Sequence, residues 1–451
     1  MNTVASTLAS LTSDLSGGRC SAASLTGDAL DAAEDRSGQG RTTFLRLRSA
    51  TARREALASD EARKAGRTRG PLEGVPISVK DLFDVAGEVT TAGSRVLSDH
   101  APAERHADAV DRLVQAGAIV VGATNMTEFA YSGLGLNPHY GTPAAPWRRE
   151  EHRIPGGSSS GAAVSVTDSM CAAAVGTDTG GSVRIPAAFC GLVGFKPTAR
   201  RVSTRGTVPL STSLDSIGPL ARSVACCALL DAVLAGERCA PIVERPAREI
   251  RLGVAREFFL DGAETAVEAT FERTVSRLAA AGFQVVDLDL PELHWIVRLN
   301  SMGGLAARES WVWHHELLAA REAEYDPRVA VRIRRGGGIS DKDTLSLTRE
   351  RETVIRGMSP IYEGVDAILA ATVAIVPPRF DALATDDEAY TAANAMVLRN
   401  TSPVNFLDGC ALSVPCHREG EPPVGLMLFS GPMRDRTVLT AGHAVERALS
   451  R

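Results

Sequence analysis

Two glycine–serine clusters, separated by one short apolar helix and one short apolar run, constrain this chain more than any other feature. The clusters are residues 155–161 (PGGSSSG) and 176–186 (GTDTGGSVRIP). The helical stretch 162–166 and the run 171–175 that lie between them carry no charge. Such segments are buried, and if they pack antiparallel, the two glycine turns meet. The sequence therefore predicts an α/β core with glycine-rich turns at one site.

Strand-like and helix-like patterns alternate along most of the chain. Strands are predicted at 118–122, 171–175, 191–195, 250–254 and 283–288, after a first short strand that ends at Lys80. Helices are predicted at 103–116, 162–166, 263–281 and 292–325. This alternation is typical of an α/β fold with one large, mainly parallel sheet and helices on both faces.

Other segments are assigned by composition. An N-terminal helical layer is predicted over residues 1–69, where Leu8, Leu11 and Leu15 form one stripe and residues 44–47 open a second, charged helix. A strand is expected to start just after Ser182. Residues 132–160 are rich in Gly, Pro and Asn, as expected of a long loop that builds or covers a site.

The domain prediction is a single domain, 1–451. Its catalytic core is expected over 70–235, and a C-terminal half, 249–451, is expected to complete the same sheet. The polar residues 237–249 between them are predicted to be an insertion point rather than a domain boundary.

Composition narrows the possible partners. With 49 basic and 54 acidic residues in 451, the net charge is −5, so nucleic acid and anionic membranes are not expected partners. The first residues, MNTVASTLAS, lack the basic and apolar regions of a secretion signal, and a cytoplasmic location is expected. The eight cysteines show no CxxC pair and are predicted to be reduced. The spacing of Cys410, Cys416 and His417 fits no zinc pattern, so neither a metal nor another cofactor is expected.

The second cluster presents Ser182 as a candidate nucleophile. Glycines at 180 and 181 permit a tight turn whose successive N–H groups point into one concavity, as in an oxyanion hole. The expected donors are the backbone N–H groups of Thr179, Gly180, Gly181 and Ser182, and each such donor is typically worth about 3 kcal/mol of transition-state stabilisation.

A serine nucleophile needs a base, and no histidine occurs between His152 and His294. Ser158, in the first cluster, is placed to hydrogen-bond Ser182, and Lys80 is the candidate terminal base. A lysine acts as a base only if its pKa falls from about 10.4 to roughly 7–8, which burial can cause. Asp81 is not expected to pair with Lys80, because neighbours in a strand point to opposite faces.

Several neighbours are assigned supporting roles. Asp178 and Arg184 flank Ser182 and are expected to pair and brace its loop. Ser159 and Ser160 are expected to satisfy backbone groups at a helix start. Three residues of TNMTEFAYSG are candidate substrate-side residues or simple packing residues: Met126, Tyr131 and Ser132.

The segments PLEGVP with the following KD, GGSSSG and GTDTGGSVRIPA resemble, in order and spacing, the amidase signature family of serine hydrolases, over about residues 70 to 222. The resemblance implies a Lys–cis-Ser–Ser triad, here Lys80, Ser158 and Ser182, with a cis peptide between Gly157 and Ser158. It also implies a large mixed β-sheet sandwiched between helical layers.

The function implied is hydrolysis of the C–N bond of a small-molecule carboxamide, through an acyl-Ser182 intermediate, to a carboxylate and ammonia or an amine. Two alternatives stay open: the glutaminase subunit of a tRNA-dependent amidotransferase, and an allophanate- or carboxybiuret-type hydrolase. In the looser C-terminal likeness, Asp408 and Cys410 stand where amidotransferase-type members commonly have Gly and Pro, and this departure argues against a glutamine-specific pocket. A silent binding protein is a weaker third alternative, and a homodimer stays open.

Overall fold

The computed structural model of the chain describes residues 3–450, so the ends of the predicted single domain and helical layer, residues 1, 2 and 451, lie outside the described part. Within it, eleven strands form one sheet: β1 (Phe44–Leu47), β2 (Pro76–Lys80), β3 (Ile119–Thr124), β4 (Ala173–Asp178), β5 (Val193–Lys196), β6 (Ser216–Ala221), β7 (Arg251–Ala255), β8 (Gln284–Leu288), β9 (Ala367–Ala371), β10 (Cys410–Pro415) and β11 (Gly425–Ser430).

Helices connect and cover these strands. They are α1 (Leu8–Ser16), α2 (Ala22–Glu34), α3 (Gly40–Thr43), α4 (Ser49–Lys64), α5 (Asp108–Gln115), α6 (Ser160–Thr167), α7 (Arg184–Cys190), α8 (Val224–Ala235), α9 (Glu257–Leu260), α10 (Thr265–Ala280), α11 (Glu292–Leu299), α12 (Gly304–Arg321), α13 (Pro327–Arg335), α14 (Asp341–Gly364), α15 (Asp381–Ala384), α16 (Asp387–Arg399), α17 (Ser402–Phe406) and α18 (Asp435–Leu449). Within residues 3–450, no helix has the length and apolar character that crossing a membrane demands.

The strand order is β1-β3-β2-β4-β6-β5-β10-β11-β9-β7-β8. Parallel pairing occurs in two blocks, β3-β2-β4 and β9-β7-β8, and the strands around and between them pair antiparallel. The predicted α/β fold with a large mixed sheet is thus confirmed. Its mainly parallel character is found in the two blocks where strand and helix alternate in the sequence.

Both faces of the sheet are covered, because alternate residues of one strand enter different cores. On β9, Leu369 belongs to the largest apolar cluster, together with residues of α2, α8, α10 and α18. Its neighbours Ile368 and Ala370 belong to a second cluster with residues of α9, α11 and α14. Since successive side chains of a strand point to opposite faces, the sheet lies between two helical layers.

This topology brings the two predicted catalytic segments together. Strands β2 and β4 are parallel neighbours in register Ile77 with Ala173 and Val79 with Val175. Their carboxyl ends, at Lys80 and Asp178, therefore reach the same edge of the sheet. Helix α6, which follows the first glycine–serine cluster, returns the chain to the start of β4, as an antiparallel helix–strand packing requires.

Four of the predicted elements differ in the structure. Residues 44–47 form strand β1, not a helix, because they pair antiparallel with β3. The segment after Ser182 is helix α7 rather than a strand, and Gly191 ends it with a φ of 67°. The predicted helix 292–325 is broken between α11 and α12, where Gly303 and Gly304, the first residue of α12, have φ values of 103° and 63° that do not occur in the interior of a helix. The predicted helix 103–116 is shorter and begins at Asp108.

Candidate active site

Lys80, the last residue of β2, is fully buried. Its Nζ lies 2.7 Å from the Ser158 Oγ and 2.9 Å from the Thr177 Oγ1. Within residues 3–450, no carboxylate forms an ion pair with it. Burial lowers the pKa of Lys80 to about 7, although the negative charges of Asp215 and Asp178 act in the opposite direction. A substantial fraction of the amine is therefore neutral near pH 7.

Asp81 points away from Lys80, as expected for the next residue in the chain. Its carboxylate accepts hydrogen bonds from the Arg46 guanidinium, from the Thr91 hydroxyl and, at 3.0 Å, from the Gly93 N–H. Burial raises the pKa of Asp81, and the charge of Arg46 opposes that change. The carboxylate nearest in sequence is thus occupied elsewhere.

Ser158 is held by the backbone of its own loop. The Gly157–Ser158 peptide bond is cis, as the family resemblance implied. The Ser158 carbonyl accepts from the Thr127 N–H at 3.1 Å, and the Gly157 N–H donates to the Gly133 carbonyl at 2.8 Å. These contacts fix the loop so that the Ser158 hydroxyl faces Lys80.

The two glycine–serine loops touch through their backbones. The Ser159 N–H donates to the Ser182 carbonyl at 3.3 Å. The hydroxyls of Ser158 and Ser182 do not hydrogen-bond each other in residues 3–450. Ser159 and Ser160 satisfy backbone groups near the start of α6, as predicted: their hydroxyls donate to the carbonyls of Thr177 and Asn125, both at 3.4 Å, and neither caps an N–H of the helix.

The Ser182 loop folds around the carboxylate of Asp178. Its Oδ1 accepts from the Gly181 N–H at 2.8 Å, so this N–H is not available to a substrate, contrary to the prediction. In the described part of the chain, the N–H groups of Thr179, Gly180 and Ser182 make no hydrogen bond. Gly181 has a φ of 138°, and a Cβ there would overlap the Thr401 hydroxyl, so the turn requires glycine.

The predicted pairing of Asp178 with Arg184 is present. Both side chains are fully buried, and the Arg184 guanidinium donates to the carboxylate with distances of 3.0 and 2.9 Å. Asn405 completes the group: its Oδ1 accepts from Arg184 at 2.6 Å, and its Nδ2 donates to the Asp178 carbonyl at 2.9 Å. Burial opposes ionisation of Asp178, but the charge and hydrogen bonds of Arg184, the charge of Lys196 and the hydrogen bond from Asn405 together hold the pKa of Asp178 well below its usual range.

Asp215, which the sequence reasoning missed, supports the same loop from the other side. Its carboxylate accepts from the Thr179 hydroxyl and from the N–H groups of Leu210 and Ser211, at 3.0 and 3.1 Å. Burial raises the pKa of Asp215 to about 6, against these hydrogen bonds and the charge of Lys80. The one sequence signal that could have pointed to Asp215 is its position, an acidic residue directly before the buried strand β6.

A cavity of about 310 Å³ opens above Ser182. Thr179 and Gly180 form part of its floor, and its wall is mostly apolar: Leu210, Leu214, Ile296, Val297, Leu398 and Phe406. Of the predicted substrate-side residues, Tyr131 and Ser132 line the cavity. Met126 does not, because its side chain is fully buried in the main apolar core.

Arg332, on α13, is the charged residue in the cavity lining, which contains no Asp or Glu among the described residues. Its Nη1 donates to the Tyr131 carbonyl at 2.7 Å, and its guanidinium lies 5.2 Å from the centre of the Tyr390 ring. The cavity therefore presents a positive charge that no carboxylate of the described chain neutralises. Sequence reasoning could not find it, because Arg332 stands in an arginine-rich helix with no local pattern.

The residues around the cavity show no cluster typical of a metal site. Nowhere in the described part of the chain do three or more His, Cys, Asp or Glu side chains gather as they would to hold a metal ion. The eight cysteines are all free thiols.

Comparisons with known proteins relate the whole chain to one family and one fold. A family model described as Amidase matches residues 30–439. The 2-amino-5-chloromuconic acid deaminase of Comamonas testosteroni is 38% identical over 88% of this chain and 86% of its own length. One component of the glutamyl-tRNA(Gln) amidotransferase of Chloroflexus aurantiacus is 34% identical over 90% of this chain and 88% of its own length. A crystal structure of an amidase, 34% identical, superposes with a TM-score of 0.89 over 98% of this chain and 99% of that one.

Proposed function

We propose, from the premise that this chain belongs to the amidase family and is an amidohydrolase acting on amides, that Lys80, Ser158 and Ser182 are its catalytic triad. The observation that carries the proposal is the 2.7 Å contact between a buried Lys80 amine and the Ser158 hydroxyl. A lysine with a pKa of about 7 is matched to general-base catalysis near neutral pH.

The first step is the removal of a proton from Ser182. When Lys80 is neutral, its lone pair accepts the Ser158 proton while the Ser158 Oγ accepts the proton of Ser182. This transfer requires the Ser182 hydroxyl to hydrogen-bond the Ser158 Oγ, and the hydrogen bond from the Ser159 N–H to the Ser182 carbonyl holds the two loops together. The Ser182 Oγ then forms a bond to the amide carbonyl carbon of the substrate.

The resulting oxyanion needs hydrogen-bond donors that are already in place. We propose the N–H groups of Thr179, Gly180 and Ser182 for this role, since the Gly181 N–H is bound to Asp178. The C–N bond breaks as the relay returns the proton to the leaving nitrogen. Water, activated by the same relay, hydrolyses the acyl-Ser182 ester to release the carboxylate product.

The substrate that the cavity fits best is an amide carrying a carboxylate away from the scissile bond. Arg332 supplies the only charge of the described lining, and a guanidinium binds carboxylates in a planar, bidentate geometry. The 38% identical relative is named for its action on 2-amino-5-chloromuconic acid, which is not an amide but carries two carboxyl groups on a hydrocarbon chain. Apolar walls suit a hydrocarbon chain between the amide and the acid better than a small polar urea derivative such as allophanate.

Glutamine fits this cavity less well. Its α-ammonium group would enter a site that offers Arg332 but, among the described lining residues, no carboxylate. A buried ammonium without an anionic partner is costly. We therefore place hydrolysis of acidic amides before a glutaminase function, although components of glutamyl-tRNA(Gln) amidotransferases are among the relatives.

Several expectations about the whole protein stay predictions. We propose that 1–451 is one domain, since β10 of the C-terminal half pairs with β5 of the core. From the sequence we also predict a cytoplasmic location and neither nucleic-acid nor membrane partners, and a homodimer stays open.

The triad is tested by labelling the purified protein with a fluorophosphonate and measuring intact mass and amide turnover. We expect wild type to add one label, and Ser182→Ala to add none and to lose turnover by at least about 10⁴-fold. Ser160→Ala, which removes another buried serine hydroxyl at the start of helix α6, is the matched control and should label normally. Full turnover in Ser182→Ala would refute the assignment.

A further inference from the structure

Two helices converge on the segment Tyr131–Gly133, of which Tyr131 and Ser132 line the cavity. From α13, Arg332 holds the Tyr131 carbonyl. From α16, the Oδ1 of Asn394 accepts from the Ser132 hydroxyl at 2.8 Å and from the Gly133 N–H at 2.9 Å. Asn394 itself lines the cavity.

These bonds determine which way the Asn394 amide faces. A backbone N–H is always a donor, so the atom facing Gly133 must be the oxygen. The NH₂ end of the amide therefore points away from this segment. Among residues 3–450 it has no hydrogen-bond partner, and it offers two donors at the cavity wall.

Ser132, by contrast, has no donor left for a substrate. Its proton goes to Asn394, and its oxygen accepts from the Leu134 N–H at 3.2 Å. We therefore assign the substrate contact expected of Ser132 to Asn394, the residue that accepts the Ser132 proton.

Tyr390 relates Arg332 to Asn394, and both of these residues line the cavity. The Arg332 guanidinium lies over the Tyr390 ring, and Tyr390 precedes Asn394 by one turn on the same helix. Apart from the bond to Tyr131, the N–H groups of this guanidinium make no hydrogen bond within the described chain. Two sets of free donors, one charged and one neutral, thus occur at neighbouring positions of one wall.

We propose that Asn394 is a specificity-determining residue whose Nδ2 donates to the substrate carboxylate held by Arg332. This inference rests on the proposed function. It adds the pair of residues that binds the carboxylate of the substrate. A carboxylate has two oxygens and about four acceptor positions, so it can take the guanidinium and the amide together.

The same contact positions the substrate for attack. Gly133, bound by Asn394 through its N–H, accepts through its carbonyl from the Gly157 N–H, next to Ser158. The anchor for the acid group and the catalytic loop are therefore joined through this one residue, which sets the distance between bound carboxylate and nucleophile.

The test separates the donor role from a merely structural one. Asn394→Asp keeps an oxygen for Ser132 and Gly133 but replaces both donors with a negative charge beside Arg332. Binding of glutaramate and of its methyl ester is measured by calorimetry in the Ser182→Ala background, so that no turnover is needed. Ala395→Asp, an exposed neighbour on the same helix, is the control for added charge.

We expect Asn394→Asp to weaken binding of the acid at least tenfold, to change binding of the neutral ester less than threefold, and to leave the melting temperature near that of the parent. Unchanged binding of both ligands, or an equal loss for both, would overturn the proposal and leave Asn394 a structural brace. Parent protein that binds acid and ester equally would also overturn it. A failure of the amidase mechanism would appear separately, as absent labelling of Ser182 in otherwise native protein.

Discussion

The floor of the cavity and its wall are built in opposite ways. The floor, formed by the loops of Lys80, Ser158 and Ser182, is a dense buried network in which Asp178 and Arg184 are 0% exposed. The wall, formed by α11, α13 and α16, is largely apolar and carries Val297 at 50% exposure near the cavity mouth, along with unused donors of Arg332 and Asn394. The contrast fits the proposal that the sheet positions the catalytic residues and that the helices select the substrate.

The largest expected effect tests the floor. Lys80→Met removes the base, and we expect kcat/KM to fall by about 10³-fold or more for acidic and neutral amides alike. A loss of kcat/KM for only one of these two substrate classes would mean that Lys80 selects the substrate rather than acting as the base. Amide turnover by the purified variant gives the measurement.

The same variant should be more stable than wild type. The folded-state pKa of Lys80, about 7, lies below its usual value, so the folded protein binds fewer protons than the unfolded chain between these two values. The cost of burying the lysine is therefore full below pH 7 and decreases as the pH rises. We expect the gain in melting temperature to be larger at pH 6 than at pH 9; no gain at either pH would show that the amine is solvated.

An intermediate effect tests the wall. Arg332→Met keeps an extended apolar side chain but removes the charge, and we expect KM for an acidic amide to rise about 10–100-fold. A neutral amide of the same length should keep its KM within about threefold, and Arg332→Lys should recover part of the loss, because it restores charge without the planar fork. Equal losses for both amides would remove the distinction between floor and wall.

The smallest effect concerns the tuning of the floor by Asp215. We expect kcat/KM of wild type to rise with pH through an apparent pKa near 7, as Lys80 loses its proton. The charge of Asp215 raises the pKa of Lys80. Asp215→Asn should therefore shift the rise of kcat/KM to lower pH, by less than about one pH unit. The measurement is kcat/KM of wild type and of Asp215→Asn between pH 5 and 9. A shift of the rise to higher pH in the variant would contradict the electrostatic role of Asp215.

The sequence predicted the floor far better than the wall. Gly180, Gly181 and the serines around them have local signatures, because a tight turn restricts the residue types that can form it. Arg332 and Asn394 act on Tyr131–Gly133 only through tertiary contacts across roughly 200 residues or more, for which a single sequence contains no pattern. Asp215 was missed for a related reason, since an acidic residue before a strand is usually a turn residue.

Errors in the predicted secondary structure have two origins: tertiary contacts that a single sequence does not show, and one local glycine signal. Residues 44–47 were expected in a helix, but pairing with β3 overrides that local preference. The break in the predicted helix 292–325 can be predicted from the sequence, because two adjacent glycines at 303 and 304 disfavour a continuous helix. The Gly181 N–H was assigned to the oxyanion hole because the sequence cannot show that the Asp178 side chain turns back onto it.

The position of β5 inside the sheet has a consequence for how the protein is made. Its antiparallel partner β10 emerges from the ribosome roughly 200 residues after it. At a synthesis rate of about 5–20 residues per second, the nascent catalytic half waits on the order of 10–40 s with one sheet edge open. Nascent chains stalled in that interval should engage chaperones, and the enzyme should gain activity only after β10 has been translated.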